Sequence, residues 1–299
     1  MIRPLSVFAA FLALTCRAEA APRVVASFMP VHALAAAVMK DVGEPELLLS
    51  PGASAHIYSM KPSDASKLAH ADLVFWLGPS METFLMKPVA NLSPKTKVVQ
   101  LMTAPGLALR PARPPMQDER DAPRVGPGEY DPHVWLDPDN AVAMAVAMAE
   151  ALAAADPENT ARYGANLAAL AQQIDAVDNE IRETLKPIQH VPFIAYHDAY
   201  QYFEGRYGLA VIGIVTPAPD HQPGVARVNI LKFFTQNDRV HCVFTEPPFQ
   251  PKLARMLVEG TKTRLAELDP EGTKLKPGPD AYPALMRGMA KNLVGCLVP

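Results

Sequence analysis

The sequence predicts an α/β protein of two lobes, each a parallel β-sheet flanked by helices, joined by one long rigid helix. Three observations carry this. Strand-like apolar runs alternate with helical spacing twice, first over 23–101 and again from 191 onward. Between the two alternations lies a helical stretch of about thirty residues, with no proline after its first position. Strands such as DLVFWLG (72–78) are apolar throughout, as expected where helices cover both faces of a sheet.

Taken in order, RVVASF (23–28) reads as a buried strand, and helical spacing runs from Val31 to Met39. PELLLSP (45–51) is a second strand, 63–71 a short helix begun by Ser63, and 72–78 a third strand. A helix from Ser80 and the strand KVVQL (97–101) complete the first lobe. A loop rich in proline and charge follows from Thr103 to Pro132; connections of this length are usually functional or disordered. Helices are expected over 138–155 and 157–186. Asp156 is the N-cap of the second and Pro157 its first residue. That second helix spans about 45 Å at 1.5 Å per residue. The second lobe has strands at 191–197, 209–215, 239–246 and 264–269. Helices are expected near 198–207, 224–236, 250–260 and 280–296.

The chain of 299 residues is 49% apolar and 20% charged, enough to bury one large core or two medium ones. A formal net charge of -3 and the absence of a Lys/Arg-rich run argue against a nucleic-acid binder. Residues 1–20 read as a leader. A basic start at Arg3 and an apolar run from Leu5 to Thr15 precede Ala18-Glu19-Ala20, a small-residue cleavage signal, with the cut expected after Ala20. The run is too short to cross a bilayer. A buried N-terminal helix and lipid attachment at Cys16 are the weaker alternatives. Cleavage removes a net charge of +1 and leaves an exported chain of -4.

Cleavage also leaves two cysteines, Cys242 and Cys296. In an oxidising compartment an even pair reads as one disulfide, with two buried free thiols as the alternative. No C-x-x-C is present to suggest a thiolate zinc site.

Histidine is the residue type whose placement carries chemistry. Of the eight, His56 follows the second strand, His133 ends the long loop just before a helix, and His197 ends the first strand of the second lobe. Ligands of open α/β sheets bind beyond the carboxyl ends of strands, so these three can converge on one cleft. Asp280, before the last helix, reads either as a carboxylate entering that cleft or as an ordinary N-cap.

The segment GASAHIYSMKPSDASKLAHADLVFWLGPSMETFLMKP resembles the zinc-binding components of bacterial ABC importers, the ZnuA type. So do DPHVWLDPDNA, AYHDAYQYFEGRYGL, HCVFTEPPFQPKLARMLVEGT and LDPEGTKLKPGPDAYPALMRGMAKNLVGCL, in the same order and spacing. The resemblance implies a leader at 1–20, lobes at 21–155 and 188–299, and a connecting helix at 156–187. It implies a metal held between the lobes by His56, His133, His197 and Asp280, and the Cys242–Cys296 disulfide. The residue before the first histidine, which ligates in some relatives, is Ala55 here. The loop that many zinc-specific relatives crowd with His, Asp and Glu contains no histidine in this chain. Its acids are Asp118, Glu119, Asp121, Glu129 and Asp131.

Three imidazoles and a carboxylate suit tetrahedral Zn²⁺; manganese prefers oxygen-rich sites, and its relatives place a glutamate at position 197. The function implied is periplasmic capture of zinc as transported substrate. A monomer would deliver it to an inner-membrane ABC permease and its ATPase, with small lobe movements on metal loss. Capture of manganese or another divalent ion is the first alternative. A zinc hydrolase is less favoured, because neither H-E-x-x-H nor G-x-S-x-G occurs and Glu204 and Glu246 read as structural. Use as a surface adhesin has no supporting motif. Zinc affinity is expected to fall as pH drops through about 6.5, where free imidazole protonates.

Overall fold

The computed structural model describes residues 21–113, 129–219 and 221–298. The expected leader, with Cys16, and loop residues 114–128, with Asp118, Glu119 and Asp121, lie outside them. The first lobe runs β1 (Val24–Ala26), α1 (Met29–Val38), β2 (Glu46–Leu47), α2 (Pro62–His70), β3 (Leu73–Trp76), α3 (Met86–Ala90) and β4 (Lys97–Gln100). Then come α4 (Pro138–Ala155) and the long α5 (Thr160–Leu185). The second lobe contains β5 (Pro192–His197), α6 (Gln201–Tyr207), β6 (Ala210–Thr216), α7 (Val225–Gln236), β7 (Cys242–Thr245), α8 (Lys252–Val258), β8 (Arg264–Glu267) and α9 (Ala281–Leu297).

The strands form two parallel sheets of identical order, β2-β1-β3-β4 and β6-β5-β7-β8. In each sheet the chain steps to one side of its first strand and then to the other. The crevice beyond the carboxyl ends of β1 and β3, or of β5 and β7, is therefore a topological switch point. In the first lobe that end is tied by Glu82, whose buried carboxylate accepts from Ser27 Oγ (2.5 Å) and from the backbone N–H of Leu77 and Gly78 (3.1 and 2.9 Å). Burial pushes the Glu82 carboxyl up to about 7.

Two expected elements are shorter than the apolar pattern suggests. The strand expected at 45–51 has ladder geometry only at Glu46–Leu47, although Leu48 and Leu49 still donate to Ala26 and Ser27. The helix expected from Ser80 begins as a 3-10 turn at Thr83–Leu85, because residues 78–82 are used in the Glu82 turn. The connecting helix is continuous. Its buried face (Tyr163, Leu170, Ile174, Val177, Ile181 and Leu185) follows helical spacing, and 3-10 turns flank it at Pro157–Asn159 and Lys186–Ile188.

α9 belongs to this spine as much as to the second lobe. It packs on α5, α1 and β8 and buries Tyr282, Leu285, Met286, Met289 and Leu293. One hydrophobic core consequently runs through both lobes, and a smaller one lies in the second lobe around Ile194, Leu231 and Leu257. Cys242 at the start of β7 is bonded to Cys296 near the end of α9 (S–S 2.11 Å, Cα–Cα 6.2 Å). Asp178 of α5, buried, accepts from Arg182 (3.1 Å) and from Arg206 of α6 (2.7 Å). Arg206 also reaches Asp139 of α4.

Candidate metal centre

Each histidine reaches the cleft by a different local device. His197 is the last residue of β5, aimed by the strand itself. His133 precedes a 3-10 turn (Val134–Leu136) that leads into α4, whose start is capped by Asp137 accepting from Asp139 N (2.9 Å). His56 sits on the irregular loop after β2. The Nε2 atom of His133 lies 3.1 Å from that of His56 and 3.2 Å from that of His197. Among the described residues these three form the one group of His, Cys, Asp or Glu with metal-holding spacing.

The opposite ring nitrogens determine what the Nε2 atoms are. His133 Nδ1 is 2.7 Å from Asp131 Oδ1, which also accepts from the His133 backbone N–H. His197 Nδ1 is 2.6 Å from Glu246 Oε2, which also accepts from Tyr200 Oη (3.0 Å). Where the carboxylate accepts, Nδ1 carries the hydrogen and Nε2 presents a bare lone pair, the tautomer that metal ligation requires. Two bare lone pairs facing each other at 3.2 Å repel unless a cation lies between them. A tetrahedral ion with Zn–N near 2.0–2.1 Å holds its nitrogens about 3.3–3.4 Å apart, close to the observed spacing. The donor set and its geometry therefore fit zinc.

Electrostatics point the same way. Burial lowers His197 to about 4, against the pull of Asp198 and Asp131. Burial, then repulsion from His197 and His133, holds His56 well below the usual imidazole range. Both rings are neutral, as ligation requires, at any pH above 6.5. Behind them lie three acids with no lysine or arginine ion pair among the described residues, Glu246 and Glu271 buried and Asp269 partly buried. Burial raises all three, Glu271 to about 8. Glu246 Oε1 and Asp269 Oδ1 are buried without a hydrogen-bond partner among the described residues. A buried cation would relieve this arrangement.

Asp280 is not brought to the histidines. It is exposed, occupies the N-cap position of α9, and its side chain makes no capping hydrogen bond. The segment between β8 and α9 turns inward earlier, so the acids it directs inward are Asp269, with Oδ1 buried, and Glu271. Asp269 and Glu246 follow the carboxyl ends of β8 and β7 almost directly. The strand-end rule that selects His197 would have selected them too. Glu246, expected to be structural, holds the imidazole of His197 through Nδ1. Glu204, in contrast, pairs with Arg113 (2.7 Å), which also reaches Asp198 (3.2 Å). This ion pair and a Pro111–Tyr130 bridge pin the base of the long loop on α6, with Asp131 at its end. His32 is buried away from the cluster, with Nε2 3.0 Å from Pro45 O.

Removing an outer partner of a metal-bound imidazole typically costs 10–100-fold in affinity. Glu246→Gln is therefore expected to weaken zinc binding by about 10–100-fold, measured by competition with a chelator. Glu204→Gln, on the rim, is expected to change it by less than about threefold.

Two parallel-sheet lobes on a helical spine, with three converging imidazoles in the cleft between them, define the two-lobed metal-binding receptors of the α/β class. A family model described as zinc-uptake complex component A, periplasmic, matches residues 24–296, and the chain belongs to that family. It is 40% identical to the high-affinity zinc uptake system protein ZnuA of Brucella abortus, over 99% of this chain and 98% of that one. It is 33% identical to the protein of the same name from Yersinia pestis, over 93% and 92%. Its fold is similar to that of the periplasmic zinc binding protein TroA from Treponema pallidum. That match has a TM-score of 0.77 at 21% identity and covers 93% of this chain and 99% of that one.

Proposed function

We propose that this protein captures Zn²⁺ in the periplasm as the receptor of an ABC importer and delivers it to a membrane permease and its ATPase. The observation that carries the reading is the trio of imidazoles, with His133 Nε2 3.1 Å and 3.2 Å from the Nε2 atoms of His56 and His197, and buried carboxylates on Nδ1 of His133 and His197. Membership of the zinc-uptake family supports zinc as the ion. Imidazole at position 197, where an oxygen ligand would favour manganese, supports it as well. Binding rather than turnover is favoured because Asp131 Oδ1 and Glu246 Oε2 are each committed to an imidazole Nδ1. Among the described residues no helix is long and apolar enough to cross a membrane.

His56, His133 and His197 are the zinc ligands in this reading. We take Asp269, in place of Asp280, as the acid that completes the shell. Its Oδ1 is buried and uncommitted, whereas both oxygens of Glu271 are engaged.

Zinc titration with elemental analysis tests the reading, and its pH dependence has a defined sign. Ligation needs neutral imidazole, and burial has moved proton uptake by His56 and His197 below 6.5. Zinc affinity is therefore expected to hold from pH 8 to 6.5 and to fall mostly between 6.5 and about 4, a lower window than free imidazole gives. Affinity unchanged down to pH 4, or one metal bound equally well by a form lacking all three histidines, would overturn the assignment.

A further inference from the structure

Of the three histidines, His56 is the one whose position local structure does not explain. His197 ends a strand and His133 leads into a capped helix, and both have a carboxylate on Nδ1. His56 lies on the loop over 50–57, which contains neither helix nor strand. Among the described residues no hydrogen bond reaches its Nδ1. A ligand on such a loop pays conformational entropy on binding unless something outside the loop holds it.

That hold comes from the other lobe. Glu271, which follows β8, is buried against the loop. Its Oε1 accepts from Ser54 Oγ at 2.5 Å and its Oε2 from the backbone N–H of Ala55 at 2.8 Å. Ser54 Oγ accepts in turn from the backbone N–H of His56 at 3.3 Å. Ser54, Ala55 and Glu271 are 1%, 0% and 3% exposed, so water cannot replace these bonds. Two more contacts tighten the junction. Gly52 N–H donates to Thr273 O (2.9 Å), and Gly52 itself turns the loop at φ +83°, a conformation glycine adopts without strain. The same segment also reaches the second ligand of the first lobe. Trp135 Nε1–H donates to Pro270 O (2.8 Å), and the Trp135 ring lies 5.2 Å from that of His133.

We infer that Glu271 is a positioning residue for metal capture, a carboxylate of the second lobe that presets the His56 loop of the first and so couples the two lobes through residues 270–273. The inference rests on the zinc-receptor reading above. Its prediction concerns residence time. With the loop released, His56 leaves the ion first and zinc dissociates faster, while His133 and His197 keep their own partners.

The test measures zinc dissociation into excess chelator, together with the visible absorption of the Co²⁺-loaded protein, whose band intensity reports coordination number. Glu271→Gln keeps the size of the side chain but turns a donor toward Ser54 or Ala55. It is expected to speed dissociation by about 10–100-fold, as for other outer partners of metal ligands, and to weaken the Co²⁺ bands. Ser54→Ala is expected to give part of that effect, and the double variant no more than Glu271→Gln alone, since the two act through one link. Wild-type kinetics and an unchanged Co²⁺ spectrum in Glu271→Gln, or additive effects in the double variant, would overturn the inference. If Glu271→Gln fails to fold, Ser54→Ala decides alone, and wild-type kinetics there also overturn it. A wild-type protein that takes up no zinc would instead sink the receptor reading itself.

Discussion

His197→Ala is expected to lower zinc affinity by well over 100-fold, the largest binding loss of any single substitution in this chain. Outer partners of metal-bound imidazoles cost about 10–100-fold, and removing the imidazole itself takes the bond as well. Three features make this position worse than the other two. His197 is the sole imidazole that the second lobe contributes to the cluster. It is 1% exposed, so water does not readily take its place. Its removal also strands Glu246, which loses its Nδ1–H donor and keeps only Tyr200. Asp269→Ala is expected to weaken binding more than Asp280→Ala, and Asp280→Ala to be within about twofold of wild type. Isothermal titration with a competing chelator measures all three. If Asp280→Ala lost as much affinity as His197→Ala, the proposal that Asp269 takes the place of Asp280 would be wrong.

Replacing Cys242 and Cys296 together by serine is expected to cost about 4 kcal/mol of stability, the chain-entropy value for a crosslink of this span. The midpoint of thermal unfolding should fall by roughly 10 °C, since about 1 kcal/mol moves a large domain a few degrees. The zinc affinity of the folded variant should stay within about twofold of wild type. Cys242 begins β7, whereas Glu246 follows the opposite end of the same strand, so the crosslink and the metal cleft lie at different ends of the sheet. Calorimetric unfolding of the zinc-free protein and a zinc titration of the same sample separate the two quantities. A variant with unchanged stability but weakened zinc binding would reverse this division of roles.

Sequence by itself determined the α/β alternation, the long connecting helix, the disulfide pair and the three histidines. The reason is that each is a local signal. Apolar period and length distinguish strand from helix. A residue at the end of a parallel strand, such as His197, inherits its place from the strand. His56 sits in a short motif after a strand, and His133 in one just before a helix. The fate of the carboxylates was decided only by the tertiary structure. The segment LDPEGTKLKPGPD between β8 and α9 contains three prolines and two glycines and has no period from which a direction could be read. Whether Asp269, Glu271 or Asp280 turns inward depends on partners far away in the chain. Glu271 finds Ser54 across 217 positions, while Asp280 is left exposed at the start of α9. The strand-end rule points at Glu246, but its pairing with His197, like that of Asp131 with His133, is not readable from sequence, because a carboxylate becomes the partner of an imidazole only when both are buried together. Burial likewise moved His197 down to about 4, away from the free-imidazole value that the sequence implied.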